Sequence, residues 1–355
     1  METSVWPRRA VTLFALVGSI LACSCSSPSK PTPIDQFPNG PKISCPEAPP
    51  AVTSPNGQAT AVQYGTPIVT GGAPTVSVAC APPAGSMFPI GTTAVTCTAT
   101  DARQRVDSCS FNVVVNRSPR ISLTRFVAFG DSITWGEDGR ATSIVAESAA
   151  AAIHPAIQFP SAQTYPGALL AQLQGRYTSQ IGDIGVANSG LPGEKAGTSS
   201  ALSRFSSVVS SRAYEAVLLM EGSNDLADRD SRLIPPAIVN LRTMVRDAKS
   251  RNVKVFLATI PPIVAGRPRG LAWSLVPEMN SGIRNVASSE GVPLVDIEAG
   301  FGASFEQYIG FDGLHPNEAG YAKIADLFLS AIKANLETQQ TSISPFTLPL
   351  RQWRR

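Results

Sequence analysis

Phe126-Val127-Ala128-Phe129-Gly130-Asp131-Ser132-Ile133 sets the reading of the whole chain. Four apolar residues closed by a glycine form a short buried strand. The Asp-Ser pair behind them opens a new element with a hydroxyl at the turn. Similar apolar runs recur at residues 181–187, 216–220, 253–259 and 293–297, and helical stretches lie between them at 164–173, 236–250 and 277–290. Strands alternating with helices predict a parallel sheet covered on both faces. In such sheets chemistry gathers at the carboxyl ends of the strands, where Ser132 stands.

The chain has two histidines, His154 and His315. The second lies in Asp312-Gly313-Leu314-His315-Pro316, three residues after an aspartate. A hydroxyl, an imidazole base and a carboxylate that orients the base are the parts of a serine hydrolase. Asn188-Ser189-Gly190 and Gly222-Ser223-Asn224-Asp225 lie between the two ends and offer the hydrogen-bond donors an oxyanion needs. Alone, Asp131-Ser132 reads equally well as a helix cap. Four blocks in this order favour the hydrolase.

The order of blocks resembles the SGNH (GDSL-type) hydrolase superfamily over residues 124–336. That resemblance implies an α/β three-layer, flavodoxin-like fold with a parallel sheet. It implies Ser132 as nucleophile, His315 as general base and then acid, and Asp312 as the carboxylate that holds the imidazole tautomer. The oxyanion hole it implies is the backbone amide of Ser132, Gly190 and the side-chain amide of Asn224, with Gly193 a rival to Gly190 in the same loop. Asp225 reads as a structural helix cap, and Trp135 as a wall of the acyl pocket. Glu137 and Asp138 read as cleft-lining residues outside the triad. His154, beside Pro155 with no acidic neighbour, reads as a loop residue.

The N-terminal third differs. Arg8 and Arg9 precede an apolar run at 10–22 that ends at Cys23, so residues 1–22 read as an export signal, too short to span a bilayer comfortably. Ile20-Leu21-Ala22-Cys23 resembles a bacterial lipobox. This implies lipidation of Cys23, membrane contact only through that anchor, and, with Ser24 next, a lean toward the outer membrane or surface; plain secretion is the alternative. Residues 23–40 are Ser/Pro-rich and read as a tether. Of six cysteines, Cys45, Cys80, Cys97 and Cys109 cluster in one short segment, which in an exported chain means two disulfides with three possible pairings. Residues 41–117 read as an all-β module, with Val95, Cys97 and Ala99 on one face, then Cys109, Phe111, Val113 and Val115, and Val76, Val78 and Cys80 on another strand. The wording from Cys80 to Cys97 and on to Cys109-Ser110-Phe111 resembles a hyalin-repeat (HYR) domain. It implies an immunoglobulin-like β-sandwich with Cys80–Cys97 and Cys45–Cys109 paired, serving as a spacer or in contact with a cell-surface glycan.

Charged residues are 15% of the chain and the net charge is +3, which leaves no basic stripe for nucleic acid. No Gly-rich phosphate loop or metal-ligand spacing is present, so no cofactor and no metal are expected. Residues 118–336 form the expected hydrolase domain, and 337–355, without a clear period, a disordered tail. The expected activity is that of an exported serine esterase acting on O-acyl groups, short-chain or acetyl, of a polysaccharide or small carbohydrate. The alternatives are a lysophospholipase or thioesterase acting on lipids, or a surface adhesion lipoprotein with an inert hydrolase domain.

Overall fold

The computed structural model describes residues 35–139 and 157–338. The expected signal at 1–22, Cys23, Cys25, His154 and residues 339–355 lie outside the described residues. No helix among the described residues is long and apolar enough to cross a membrane.

The C-terminal part is built on five parallel strands. They are β1 (Arg125–Gly130), β2 (Gly185–Gly190), β3 (Ala216–Met220), β4 (Lys254–Ala258) and β5 (Leu294–Val295), in the spatial order β2-β1-β3-β4-β5. This is the flavodoxin-like order, which switches direction beside β1. The helices are α1 (Ser132–Trp135), α2 (Tyr165–Arg176), α3 (Ser199–Ser210), α4 (Ile234–Ser250), α5 (Val276–Glu290), α6 (Ile297–Phe301) and α7 (Glu318–Leu336).

Side chains alternate across a strand, and the two cores follow from that. Phe126 and Ala128 of β1, Leu218 and Met220 of β3 and Phe256 of β4 face α2, α6 and α7. Val127, Phe129, Val217, Leu219, Val255 and Leu257 face α3, α4 and α5. β1 and β3 are flanked by strands on both sides and covered on both faces, which is why their sequences are continuous apolar runs. The outer strand β2 is only half-buried and starts at Gly185, later than the expected 181. Ile181 is exposed, and the stretch before the strand is tied down by the Gln180 side chain, which exchanges hydrogen bonds with both backbone groups of Ile121.

The N-terminal part is β-rich. Its main sheet runs in the order 52–54, 106–117, 91–100, 77–81, with 91–100 antiparallel to both 106–117 and 77–81. Strands Pro41–Ser44 and Ile68–Gly71 pair separately, as do Thr60–Ala61 and Met87–Phe88. Val95, Cys97, Ala99, Val113 and Val115 are buried together with Phe88 and Ile43. The disulfides join Cys45 to Cys109 and Cys80 to Cys97, the pairing the HYR resemblance implies. Val78 departs from expectation: it lies on an edge strand and is 43% exposed.

Two boundaries move. Asp35 to Pro38 are not free tether: Arg103 binds Asp35 through two bonds of 2.6 Å, and Arg105 donates to the carbonyls of Phe37 and Pro38. At the other end Glu337–Thr338 pairs antiparallel with Arg120–Ile121, and Glu337 binds Arg176 and Tyr177. The expected tail therefore begins no earlier than 339.

Candidate active site

Ser132 is the first residue of α1, and Asp131 caps that helix by accepting the Ile133 amide at 2.9 Å. The helix is one turn long, closed by Gly136 at φ +101°. It therefore offers the serine local amides rather than a long macrodipole. Burial pushes the Asp131 carboxyl up to about 6, against the pull of the Ile133 amide and the attraction of His315.

Asp312, Leu314 and His315 belong to a tight turn between residues 309 and 316. Asp312 Oδ1 accepts the amides of Leu314 (2.9 Å) and His315 (3.0 Å), which turns Oδ2 toward the ring. His315 Nδ1 lies 2.5 Å from Asp312 Oδ2, and Nε2 lies 2.9 Å from Ser132 Oγ. A carboxylate only accepts, so Nδ1 carries the proton and Nε2 is free to accept from the serine hydroxyl. His315 is fully buried and Ser132 is 4% exposed. Burial would raise the Asp312 carboxyl, but the hydrogen bond and charge of His315 and the two amides outweigh it and hold it below its ordinary value. The structure thus joins three of the expected site residues in one relay, across 183 residues of sequence.

The expected oxyanion residues divide. Asn224 Nδ2 donates to the Glu194 carbonyl at 3.0 Å, so this side chain is fixed against the loop that follows β2, with a second N–H to offer. Gly190 differs from expectation. Its amide donates to Asn188 Oδ1 at 2.9 Å, and a Cβ there would lie 2.0 Å from the Trp135 nitrogen. The glycine is needed for packing against α1, and its N–H is already engaged. Gly193, three residues on, has φ +79° and open space where a Cβ would be. Asp225 caps no helix of its own; its two oxygens accept the amides of Ala196 and Gly197, each at 2.8 Å, and so hold the same loop. Trp135 offers its carbonyl to Gln158 (2.6 Å) and Asn188 (3.2 Å), which anchors the turn beside the serine.

Glu137, read from sequence as lining the cleft, stands with Oε2 3.5 Å from His315 Nε2. Arg269, which the sequence did not single out, binds Glu137 Oε1 at 3.0 Å and comes within 3.4 Å of His315 Nδ1. A second unforeseen group is Arg204 with Glu194 and Glu221, packed beneath the serine turn. Glu221 could have been noticed, since a carboxylate directly follows the buried run Ala216–Met220.

Two family models match the chain. Residues 35–115 match the HYR domain. A multidomain esterase of Ruminococcus flavefaciens is 30% identical over 126 residues, which is 35% of this chain and 16% of that protein's length. Among solved structures, a lipase/acylhydrolase from Enterococcus faecalis is 23% identical with a TM-score of 0.46, covering 62% of this chain and 100% of the other. An acetylxylan esterase from Geobacillus stearothermophilus, solved as a catalytic mutant, is 21% identical with a TM-score of 0.46, over 60% of this chain and 94% of its own. The GDSL-like lipase/acylhydrolase family matches residues 128–323, more than half of the chain, from the second half of β1 to beyond His315. The chain belongs to that family of ester-hydrolysing enzymes.

Proposed function

We propose that this protein is an exported serine esterase that removes short O-acyl groups, acetyl foremost, from a carbohydrate. The observation that carries the chemistry is the relay Ser132 Oγ–His315 Nε2 (2.9 Å) and His315 Nδ1–Asp312 Oδ2 (2.5 Å). His315 takes the hydroxyl proton as Ser132 attacks the ester carbonyl, and gives it to the departing alcohol oxygen as the tetrahedral intermediate collapses. Water then attacks the acyl-serine, its proton passing to His315 and back to Ser132 as the acid leaves. Asp312 keeps the imidazole in the productive tautomer throughout.

The intermediate's oxygen is received by the Ser132 amide, the Asn224 side chain and the Gly193 amide. Gly193 replaces Gly190 in this role because the Gly190 amide is held by Asn188. One preorganised donor of this kind contributes roughly 3–4 kcal/mol.

Short acyl groups are favoured because the sequence carries no strongly apolar lid segment. The carbohydrate alcohol is supported by the export signal read at 1–22, the anchor read at Cys23 and the β-rich domain beside the hydrolase, an argument by context. In this reading the chain runs as signal, tether, HYR unit and hydrolase, and the HYR unit spaces the enzyme from the envelope or touches its glycans.

The test is hydrolysis of p-nitrophenyl esters of graded chain length, with Ser132→Ala alongside. Turnover that peaks at acetate and falls by about 10³-fold or more in the variant is expected. A variant as active as the parent would remove Ser132 from the mechanism. A maximum at long chains would favour the lipid-directed alternative.

A further inference from the structure

Arg204 projects from α3 to the carboxyl ends of three neighbouring strands. Nη1 donates to the Ser189 carbonyl (2.7 Å) and hydroxyl (3.1 Å) at the end of β2. Nη2 donates to the carbonyl of Gly130, the last residue of β1 and two before Ser132 (3.2 Å). Nε donates to both oxygens of Glu194, at 2.8 and 3.0 Å, and the guanidinium lies 3.8 Å over the Phe129 ring. Glu194 in turn holds Asn224, since its backbone carbonyl accepts that side-chain amide. One residue therefore links the buried charge network to the donor wall of Gly193 and Asn224.

Beneath them lies Glu221, whose side chain is fully buried. Among the described residues neither of its oxygens receives a hydrogen bond from a donor group, and Arg204 stays 3.7 Å away. The Arg204 Nη2 that stands 3.7 Å from Glu221 Oε1 also binds Glu194 Oε2, which sets a second buried carboxyl beside the first. Two neighbouring buried carboxylates repel strongly, and a bare carboxylate buried without donors costs several kcal/mol. A single proton on Glu221 removes both penalties.

We propose that Glu221 keeps its proton in the folded protein and, with Glu194 and Arg204, acts as a positioning residue that holds the oxyanion wall beside Ser132. The proposal rests on the esterase reading above. The charged and titratable groups around Glu221 are Glu194 from the loop after β2, Arg204 from α3, Asp131 from the turn after β1 and the Tyr165 phenol from α2. Burial, the Asp131 charge and the Glu194 carboxyl push the Glu221 carboxyl well above the ordinary range, and the pull of Arg204 only moderates this. As the pH rises and Glu221 ionises, the pair becomes two neighbouring anions, and the loop that carries Gly193 loses its anchor.

The full chain is compared with Glu221→Gln, Glu221→Ala and Arg204→Met, by kinetics on p-nitrophenyl acetate and by melting temperature, both from pH 5 to 10. Glutamine is neutral and cannot ionise. Glu221→Ala and Arg204→Met are expected to lower kcat about tenfold or more with KM within about twofold, and Glu221→Gln to recover most of the loss. The sign for stability follows from linkage. A carboxyl whose folded value is raised weakens folding progressively as pH climbs from its unfolded value, about 4.3, toward the folded one. The parent should therefore lose melting temperature relative to Glu221→Gln across that window. Parallel melting curves for parent and Glu221→Gln would overturn the retained proton on Glu221, whatever the enzyme's activity. Unchanged kcat in Arg204→Met would overturn the positioning role. A parent that hydrolyses no ester and whose Ser132 resists a fluorophosphonate would instead sink the esterase reading, with the melting curves still deciding the carboxyl pair.

Discussion

At the scale of single residues, His315 shows how a buried imidazole is kept useful. Its ring is fully enclosed, and each nitrogen faces a partner of defined chemistry, a carboxylate on one side and a hydroxyl on the other. Asp312→Asn keeps the shape but offers Nδ1 an amide that can donate. The imidazole then turns its lone pair toward residue 312 and its N–H toward Ser132, the wrong tautomer for a base. A fall in kcat of about 10³–10⁴-fold at neutral pH is expected, with a melting temperature below the parent's there. The lowered Asp312 value adds a stability signature. Its contribution is complete above the unfolded value near 3.9 and is lost as pH falls through the folded one, so acid melting curves of parent and variant should converge. The relay itself was legible in sequence because Asp312 and His315 lie three residues apart in one turn, and the serine stands behind an unmistakable strand. For Gly190, sequence shows that a glycine is needed but not that its amide is taken by Asn188 or that a Cβ there would strike Trp135. Arg204 and Glu194 were illegible for a different reason, and Glu221, though its place after a buried run was visible, could not be paired with them: partners are set by strand order, which no local pattern records.

Among the elements, the central strands were the clearest, since burial on both faces leaves only apolar residues to read. The half-buried β2 shifted by several residues, and α3 went unseen. Its sequence Ser-Ser-Ala-Leu-Ser-Arg-Phe-Ser-Ser-Val-Val-Ser is rich in a residue that favours caps and turns, and only Ala201, Phe205 and Val209 at fourfold spacing betray the buried face. α2 was read correctly at its start, where Thr164 caps it. This helix matters to the site through Tyr165, whose hydroxyl meets Thr134 of α1 at 3.1 Å. Tyr165 is stacked on Phe328 of α7 with centroids 5.3 Å apart, and both rings are fully buried. Phe328→Ala removes that ring from beneath α2, and a loss of about 3–5 kcal/mol in denaturant unfolding is expected. If the cavity matters only to packing, kcat in native buffer should fall less than tenfold; a loss as deep as that of Ser132→Ala would mean that α2 positions the serine turn itself.

In the whole molecule, covalent and non-covalent stabilisation are divided between the two parts. Both disulfides lie in the β-rich unit, where few residues are available for a core, whereas the α/β part relies on two large apolar cores and contains no cysteine. The bridges close spans of 64 and 17 residues, for which the chain-entropy account gives about 4 and about 3 kcal/mol. Loss of both is expected to unfold the small β-unit. Among the described residues, hydrogen bonds between the parts run from Ser118 Oγ to the Ser54 carbonyl and from Thr178 Oγ1 to the Pro55 carbonyl, the two hydroxyls lying 3.2 Å apart. Such a junction transmits little of one part's unfolding to the other. Reduction with dithiothreitol should therefore add or lower one calorimetric transition while a second stays in place, and p-nitrophenyl acetate turnover should survive. Activity lost together with the first transition would show that the hydrolase depends on the β-unit for its fold. In that case the pairing of Arg120–Ile121 with Glu337–Thr338, which ties the junction to the end of α7, is the route by which the two parts are coupled.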